Sequence, residues 1–299
     1  MSVRIGINPL TWSNDDMPEL GGDTPLEVCL AEARQAGYAG IELGNKFPRQ
    51  SGKLRPILAR HGLELVSGWY SSRLLERSVA DEMAAIDGHM TLLKDMGCSV
   101  LVYAEVSGCV HGDRKTPLSR RPVLDPSRWS EFCRRLTEMG RHLRQNGLTL
   151  AYHHHMGTVV ESQRDVDQLM ANTGAAVGLL LDTGHLTYAG ANVIETTTRH
   201  ARRINHVHCK DIRPDILKQA RQKDLSFLSA ILEGVFTVPG DGLIDYHAFA
   251  RCLANMGYEG WVVVEAEQDP VKAPPKAYSA MGYRHLVETF RAAGFEIIQ

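Results

Sequence analysis

The chain has 299 residues, of which 43% are hydrophobic, so it can bury a large core. Its 33 lysines and arginines nearly balance 35 acidic residues, and the formal net charge of −2 argues against nucleic acid or an anionic membrane as partner. Small neutral substrates fit this balance better. The six cysteines are scattered and form no C-x-x-C pair, which favours reduced thiols over disulfides or structural zinc.

No apolar run approaches the roughly 20 residues of a membrane span. The opening MSVRIGINPL favours a strand over a charged segment followed by an apolar signal core. We therefore expect a cytoplasmic protein without a membrane partner. A homo-oligomer is expected only from the general frequency of such assemblies, because the predicted outer helices show no self-complementary stripe.

Short β-rich runs alternate with longer amphipathic segments along the whole chain, which is the pattern of βα units around a parallel sheet. Eight strands are predicted, at 3–8, 40–44, 64–70, 99–106, 149–155, 177–183, 204–211 and 261–267. Helical segments fill the gaps. The segment TPLEVCLAEARQAG, for example, begins with a threonine cap, has a proline in its first turn and ends at Gly37.

Eight such units in about 300 residues predict an α/β fold, a single (β/α)8 TIM barrel. We expect one domain over 1–299, because no Pro/Gly/Ser-rich linker indicates a second one. Two longer segments, 107–125 and 212–244, follow the fourth and seventh strands as loop insertions. Both would lie over the same face of the barrel, where they favour a lid.

The active site of such a barrel lies at the carboxyl ends of its strands, where this sequence carries acids and imidazoles. These residues are Glu42, Glu105, His153, His155, Asp182, His206, His208, Glu265 and Glu267. Because side chains alternate along a strand, His153 and His155 share one face while His154 points to the helix layer. We expect His154 to make a structural hydrogen bond.

Two imidazoles and two carboxylates would repel or desolvate badly without a cation between them, so their convergence predicts a divalent metal. The candidate ligands are His153, Asp182, His208 and Glu265. Mixed nitrogen and oxygen ligation suits manganese, cobalt, iron or zinc better than magnesium or calcium. A single histidine at a strand end is often only a hydrogen-bonded polar residue, but four such groups on adjacent strands weaken that interpretation.

Other polar and aromatic residues allow two interpretations each. His185 in DTGH could orient a ligand or touch substrate, or it could serve as a structural cap. Lys210 could bind a substrate oxygen or form a buried ion pair with Asp211. Trp12 and Trp69 could form the floor under a sugar-like ring or pack in the core.

Long phrases of this sequence resemble the inosose dehydratases, which dehydrate 2-keto-myo-inositol in bacterial inositol catabolism. They include GIELGNKFP, YHHHMGTVVES, LLLDTGHLTYAG, HVHCKDIR, GVFTVPGDGLIDY and GWVVVEAEQDP, in order across nearly the whole chain. The wider relatives are the xylose-isomerase-like barrels. The resemblance implies a small cyclic polyol ketone as substrate, cobalt or manganese as metal, and a stimulating role for glutathione.

In the wider relatives a metal is held by Glu, Asp, His and Glu from strands five to eight. The matching positions here are His153, Asp182, His208 and Glu265. A histidine replaces glutamate at the first of them, so His155, two residues on, is an alternative ligand. In the dehydroshikimate dehydratases, whose E-x-H spacing resembles H-x-H here, the second position is close to the substrate and is a candidate base.

Dehydration of a cyclic polyhydroxy ketone removes the weakly acidic C–H beside the carbonyl and then expels a β-hydroxyl as water. A metal can stabilise the enolate as a Lewis acid while an imidazole takes the proton near neutral pH. His155 is the preferred base, followed by Glu267 or Glu42, and Lys210 or His185 would assist the departing hydroxyl. The candidate substrate-binding residues are Trp12, Glu42, Trp69 and Glu105.

Rival functions of the same fold remain open. A ketose epimerase or isomerase would flank its substrate with two metal-bound carboxylates, and His153 in place of one of them weakens that case. An endonuclease would need further histidine and aspartate ligands and a basic face for DNA. A non-catalytic inositol-binding barrel would need no metal with an open coordination position.

Overall fold

The computed structural model describes all 299 residues. The strands are β1 (Ser2–Ile7), β2 (Gly40–Leu43), β3 (Glu64–Ser72), β4 (Val100–Glu105), β5 (Thr149–His153), β6 (Val177–Asp182), β7 (Ile204–Cys209), β8 (Asp211–Ile212), β9 (Phe236–Thr237), β10 (Gly260–Val264) and β11 (Glu296–Ile298). The helices are α1 (Leu26–Ala36), α2 (Ser51–His61), α3 (Val79–Asp95), α4 (Trp129–Gln145), α5 (Gln163–Asn172), α6 (Thr183–Tyr188), α7 (Val193–Arg199), α8 (Pro214–Gln222), α9 (Phe227–Glu233), α10 (Tyr246–Asn255) and α11 (Pro275–Ala292).

Eight parallel strands close into a barrel. Strands β1 to β7 pair in chain order, and β10 closes the barrel by pairing with both β7 and β1. At the closure Ile5 lies beside Val262, and His208 lies beside Val263. The predicted (β/α)8 barrel is therefore confirmed. The short β11 pairs with β1 beyond the eight barrel strands.

All eight predicted strands are present, but β5, β7 and β10 end two or three residues earlier than predicted. Strand β5 ends at His153 and β10 ends at Val264. His155, Glu265 and Glu267 therefore lie on the loops that follow these strands. Because alternation of side chains holds only within a regular strand, the loop backbone decides where these three side chains point.

Helices pack around the barrel through one apolar face each. On α4 the buried residues include Phe132, Leu136, Met139 and Leu143, which recur at the spacing of one helix face. Helix α1 ends at Gly37, whose φ of 115° is in the left-handed region that favours glycine, as predicted. The start of α1 differs from the prediction, since Pro25 rather than Thr24 occupies the N-cap and no side chain caps the helix.

The two insertions meet at the carboxyl end of the barrel. The segment 212–244, predicted as a loop, contains α8, α9 and β9, while 107–125 is mostly irregular. The Leu118 N–H donates to the Leu225 carbonyl at 3.2 Å, and the Ser226 hydroxyl donates to the Arg114 carbonyl at 2.8 Å. These bonds hold the insertions together as a cover over one end of the barrel. None of the helices is both long enough and apolar enough to cross a membrane.

Candidate active site

Four buried side chains converge where β5, β6, β7 and β10 end. They are His153, Asp182, His208 and Glu265, and one donor atom of each lies within 4.8 Å of the others. Asp182 Oδ2 is 3.7 Å from both His153 Nε2 and His208 Nδ1, and Glu265 Oε2 is 2.6 Å from His208 Nδ1. The structure thus brings together the four residues selected at the strand ends. As a group they could hold a divalent metal ion.

The hydrogen bonds around this group leave two atoms free to coordinate a cation, one on His153 and one on Asp182. His153 Nδ1 can only donate to the His154 carbonyl, 2.7 Å away, so Nε2 carries the lone pair that faces Asp182. Asp182 Oδ2 is buried and has no hydrogen-bond partner in the chain. Burial of such an atom is costly, and a bound cation would remove that cost. The residues present therefore fit a divalent metal.

Glu42 lies behind His208 and orients its ring. Glu42 Oε1 is 3.1 Å from His208 Nε2 and 2.9 Å from His206 Nε2, and it accepts a hydrogen bond from the Ser67 hydroxyl. Burial alone would lower the pKa of His208, but the Glu42 and Glu265 carboxylates raise it well above its ordinary value. A metal would replace the proton on Nδ1, while Nε2–H continues to donate to Glu42.

Burial hinders ionisation of the carboxyl groups around the cluster in the metal-free protein. These buried carboxyl groups are those of Glu42, Asp182, Glu265 and Glu267, and the Lys210 ammonium lies within 4 Å of the last three. Burial raises the pKa of Asp182 to about 7, although the Lys210 ammonium opposes that shift. A divalent ion would stabilise the ionised form of the carboxyl groups that bind it.

A cavity of about 210 Å³ opens beside the metal-binding group. Its polar and aromatic lining consists of Asn8, Asp15, Asp16, Glu42, Asn45, Arg49, Trp69, Ser71, His111, His155, His208, Glu265 and Glu267. A wall with so many hydrogen-bonding groups suits a small polyhydroxylated ligand better than an apolar one. Glu42 and Trp69, both predicted to bind substrate, are on this wall.

His155 lies on the cavity wall in largely aromatic surroundings. Its Nδ1 donates to the Met156 carbonyl at 2.8 Å, and its Nε2 has no hydrogen-bond partner within the chain. Ring centroids of Trp69, His185 and Phe227 lie 5.4, 4.0 and 5.0 Å from that of His155. Burial lowers the pKa of His155 well below its ordinary value, which favours the neutral imidazole that can accept a proton.

Lys210 is fully buried beneath the cluster and is hydrogen-bonded to Glu267. Its Nζ lies 2.6 Å from Glu267 Oε2, 3.5 Å from Glu265 Oε2 and 3.0 Å from His185 Nε2. Glu267 lines the cavity, whereas Lys210 and His185 do not. Burial raises the pKa of Glu267 to about 7, even though the ammonium lowers it. Of these three groups, Glu267 is the one that can meet a ligand directly.

His154 points away from the cavity, as the alternation in β5 predicts. Its Nε2 accepts a hydrogen bond from the backbone N–H of Asp182 at 3.2 Å. This bond ties the end of β5 to the end of β6 and so positions two of the candidate ligands. The predicted structural role of His154 is confirmed.

Comparisons with known proteins agree with this geometry. Residues 30–289 match the family model for the xylose isomerase-like TIM barrel. The chain is 53% identical over 297 residues to the rhizopine catabolism protein MocC of Rhizobium meliloti, covering 99% of this chain and 91% of that one. It is 40% identical over 289 residues to the inosose dehydratase of Geobacillus thermodenitrificans, covering 96% of this chain and 97% of that one. The chain belongs to the inosose dehydratase family.

A solved structure of L-ribulose 3-epimerase aligns with a TM-score of 0.71 at 18% identity, over 98% of this chain and 96% of the other. At that identity the likeness shows a shared fold alone. Epimerases and inosose dehydratases therefore share one barrel, and the side chains at the strand ends have to distinguish them.

Two residues predicted to bind substrate do not reach the cavity of this inosose dehydratase family member. Trp12 is 1% exposed, packs in the core and donates its indole N–H to Glu32 at 2.7 Å. Glu105 accepts the backbone N–H groups of Leu74, at 2.6 Å, and Ser107, at 2.8 Å. The indole of Trp12 and the carboxylate of Glu105 are thus engaged in hydrogen bonds within the chain. The substrate-binding assignment of both residues is corrected to a structural one.

Lys210 and Asp211 do not form the ion pair that was one interpretation of their sequence. Asp211 instead accepts backbone N–H groups from Gly240, at 3.1 Å, and Ile244, at 3.0 Å. The two side chains point in opposite directions because they are neighbours on an extended segment. Lys210 is thus left to face the inosose dehydratase site, while Asp211 stabilises the backbone between Gly240 and Ile244.

Several residues that line the cavity in this inosose dehydratase family member were not selected from the sequence. They are Asn8, Asp15, Asp16, Asn45, Arg49, Ser71 and His111. Asn8 ends the first predicted strand, so the rule applied to the other strand ends would have found it. The others lie on loops or beyond a predicted strand end, where no periodicity indicates the direction of a side chain.

Proposed function

We propose that this chain is a metal-dependent hydro-lyase that removes water from 2-keto-myo-inositol and yields a trihydroxycyclohexane-1,2-dione in inositol catabolism. The observation that carries the proposal is the position of His155. Its Nε2 has no partner in the chain, and its ring shares a cavity wall with His208 and Glu265 of the metal-binding group. The proposed base and two of the proposed metal ligands therefore face one small polar cavity.

The proposed ligands are His153, Asp182, His208 and Glu265, and a metal held there would supply Lewis-acid stabilisation of the charge that develops on the ketone oxygen. His155 accepts the proton from the carbon beside the carbonyl through Nε2. The hydrogen bond from Nδ1 to the Met156 carbonyl holds the ring in the tautomer that this step needs.

Glu267 is the proposed proton donor to the departing β-hydroxyl, because it lies on the cavity wall and is hydrogen-bonded to Lys210. The C–O bond breaks as the hydroxyl takes this proton and leaves as water. The resulting enol gains a proton on carbon and loses one from oxygen, which forms the second carbonyl and restores both residues. Lys210 and His185 support Glu267 from behind without touching substrate.

We propose manganese or cobalt as the metal, because the two nitrogen and two oxygen donors suit either ion, with zinc and iron as alternatives. Glutathione is implied by the family alone, and no group of residues is assigned to it. The proposed substrate is a small cyclic polyol ketone, which the polar cavity wall supports. The relative at 53% identity is named for rhizopine catabolism, which favours a catabolic role for this chain as well.

The test is incubation of the purified protein, loaded in turn with manganese, cobalt, zinc or iron, with 2-keto-myo-inositol, other inososes, ketohexoses and rhizopine. Dione formation and epimerisation are measured in the same samples, with and without glutathione. We expect dione from 2-keto-myo-inositol, no epimerised ketohexose, and loss of activity after chelation.

Three results would contradict the proposal in different ways. Epimerised ketohexose without dione would identify an epimerase of the same fold. Tight metal binding and polyol binding with no turnover of any substrate would identify a binding protein. Dione formation that survives complete removal of metal would refute the role of the four ligands while leaving the dehydratase activity in place.

A further inference from the structure

We propose that His111, contributed by the insertion 107–125, is a substrate-binding residue that holds a ring hydroxyl opposite the metal-binding group. This inference rests on the proposed function and deepens it. His111 lines the same cavity as His155, Glu265 and Glu267, although it comes from a different part of the chain. It is the one histidine that the insertions contribute to the cavity wall.

The backbone around His111 is held in place by the loop that follows β5. The Val110 N–H donates to the Gly157 carbonyl at 2.9 Å. A Cβ at Gly157 would lie 2.9 Å from the His111 nitrogen, and Gly157 has a φ of 78°. A glycine is therefore needed at this point for both its conformation and its close contact. The contact sets His111 beside the loop that carries His155.

The side chain of His111 makes no hydrogen bond within the protein. Its Nδ1 is buried and has no partner, and none of the hydrogen bonds of the chain involves its Nε2. A polar ring held rigidly on a cavity wall without internal partners is suited to bind a ligand. A neutral imidazole offers one donor and one acceptor, which matches the two functions of a sugar-like hydroxyl.

The surroundings of His111 favour that neutral form. Burial lowers its pKa, although the nearby carboxylate of Asp16 opposes the shift. Asp16 also lines the cavity, and it brings an acceptor for another hydroxyl to the same side. Substrate bound there would be held between this wall and the metal-binding group, with its reacting carbons next to His155.

A second explanation is that His111 only packs against His155. The two ring centroids are 5.0 Å apart at an interplanar angle of 65°, an edge-to-face arrangement. That role needs an aromatic ring but no nitrogen. The two explanations therefore differ in what they predict for phenylalanine at this position.

The experiment compares His111→Phe and His111→Gln with the wild type, and uses His247→Phe on α10 as a matched control at an exposed histidine. The metal content of each protein is measured first. The dissociation constant of 2-keto-myo-inositol is then measured by calorimetry, together with kcat and KM for dione formation. Calorimetry reports binding whether or not turnover occurs.

For His111→Phe we expect the dissociation constant and KM to rise about tenfold, the effect of one lost hydrogen bond, with kcat changed less than about twofold. His111→Gln should recover part of the affinity because its amide both donates and accepts. The control His247→Phe should match the wild type. Metal content should be equal in all four proteins.

Unchanged affinity in His111→Phe would overturn the inference and leave packing as the role of the ring. A fall in kcat with unchanged KM would also overturn it, since His111 would then act through His155. If His111→Phe does not fold, His111→Ala, which also lacks a hydrogen-bonding group, takes its place, and unchanged affinity in His111→Ala decides against the inference. The wild type could bind 2-keto-myo-inositol without forming dione. If His111→Phe then binds it more weakly than the wild type, the proposed function alone is overturned.

Discussion

His153 and His155 are two residues apart, yet they meet different surroundings. His153 faces Asp182 with the lone pair of Nε2 and lies in the metal-binding group, whereas His155 is absent from that group and lines the cavity. Both use Nδ1 to donate to a backbone carbonyl, so both present Nε2 to the interior. The geometry supports His153 as the ligand and His155 as the base.

Substitution of each histidine should separate these roles. His153→Ala should weaken metal binding by at least about 10- to 100-fold, the range seen for losses in a metal site, and excess metal should restore part of the rate. His155→Ala should keep metal and bind substrate but lose about 100- to 10,000-fold in turnover. Elemental analysis, together with exchange of the α-hydrogen in deuterated water, distinguishes the two defects.

His154→Ala serves as a control for local disruption, because His154 bonds to the backbone of β6 and faces neither metal nor cavity. Loss of metal in His155→Ala with retention in His153→Ala would reverse the assignments. Normal metal content and normal hydrogen exchange in both variants would show that neither histidine has the proposed role.

The two insertions are the elements that this chain adds to the eight strands and outer helices of a (β/α)8 barrel. The insertion 107–125 brings His111 to the cavity, and 212–244 brings Phe227 against His155. Ser119 and Asp224 join the two insertions through a side-chain hydrogen bond of 2.5 Å. Since both cover the carboxyl end of the barrel, they should respond together when substrate fills the cavity.

Hydrogen exchange followed by mass spectrometry tests this coupling. Adding 2-keto-myo-inositol to the metal-loaded protein should slow exchange in both 107–125 and 212–244, because a filled cavity stabilises the segments that close it. Helix α2, which contributes no residue to the cavity wall, should not change. Protection confined to one insertion would show that they move independently, and protection in neither would make their role purely structural.

At the scale of the molecule, burial of acidic side chains lowers the free energy of unfolding of the metal-free protein. Four carboxyl groups are buried at the barrel end, and burial raises the pKa of two of them, Asp182 and Glu267, to about 7. A core cluster of buried apolar residues extends from Val3 to Phe295. Folding without a cation also buries Asp182 Oδ2 without a hydrogen-bond partner, so metal binding should contribute directly to the stability of the whole barrel.

Removal of metal by a chelator should therefore lower the melting temperature. Binding at 100 times the dissociation constant stabilises a fold by about 2.7 kcal/mol. For a chain of this size, a loss of that magnitude corresponds to a fall of about 4 °C. Differential scanning calorimetry with and without chelator measures the shift, and added manganese or cobalt should reverse it.

The variant Asp182→Asn keeps the shape of the side chain but removes a ligand charge, so its melting temperature should not respond to chelator. Asp167→Asn on α5, outside the cluster, should respond like the wild type. An identical response in the wild type and in Asp182→Asn would place the stabilising metal elsewhere in the molecule.

The sequence by itself determined the barrel and pointed to the four candidate metal ligands that the structure brings together. Strands and helices can be predicted from the local periodicity of apolar residues, and a parallel barrel brings the carboxyl ends of all its strands to one face. Asp182 and His208 lie at such ends, and they are adjacent in the observed register. Long phrases in order along the chain were enough to predict the family as well.

Only the tertiary structure decided which polar residues reach the cavity. Glu105 stands at a strand end like Glu42, but the Leu74 N–H, from a distant part of the chain, occupies its carboxylate. His111 lies in an irregular insertion, and a close contact with Gly157 alone brings it to His155. The physical reason is that periodicity fixes side-chain direction within an element, whereas beyond its end the direction depends on contacts between segments that are distant in sequence.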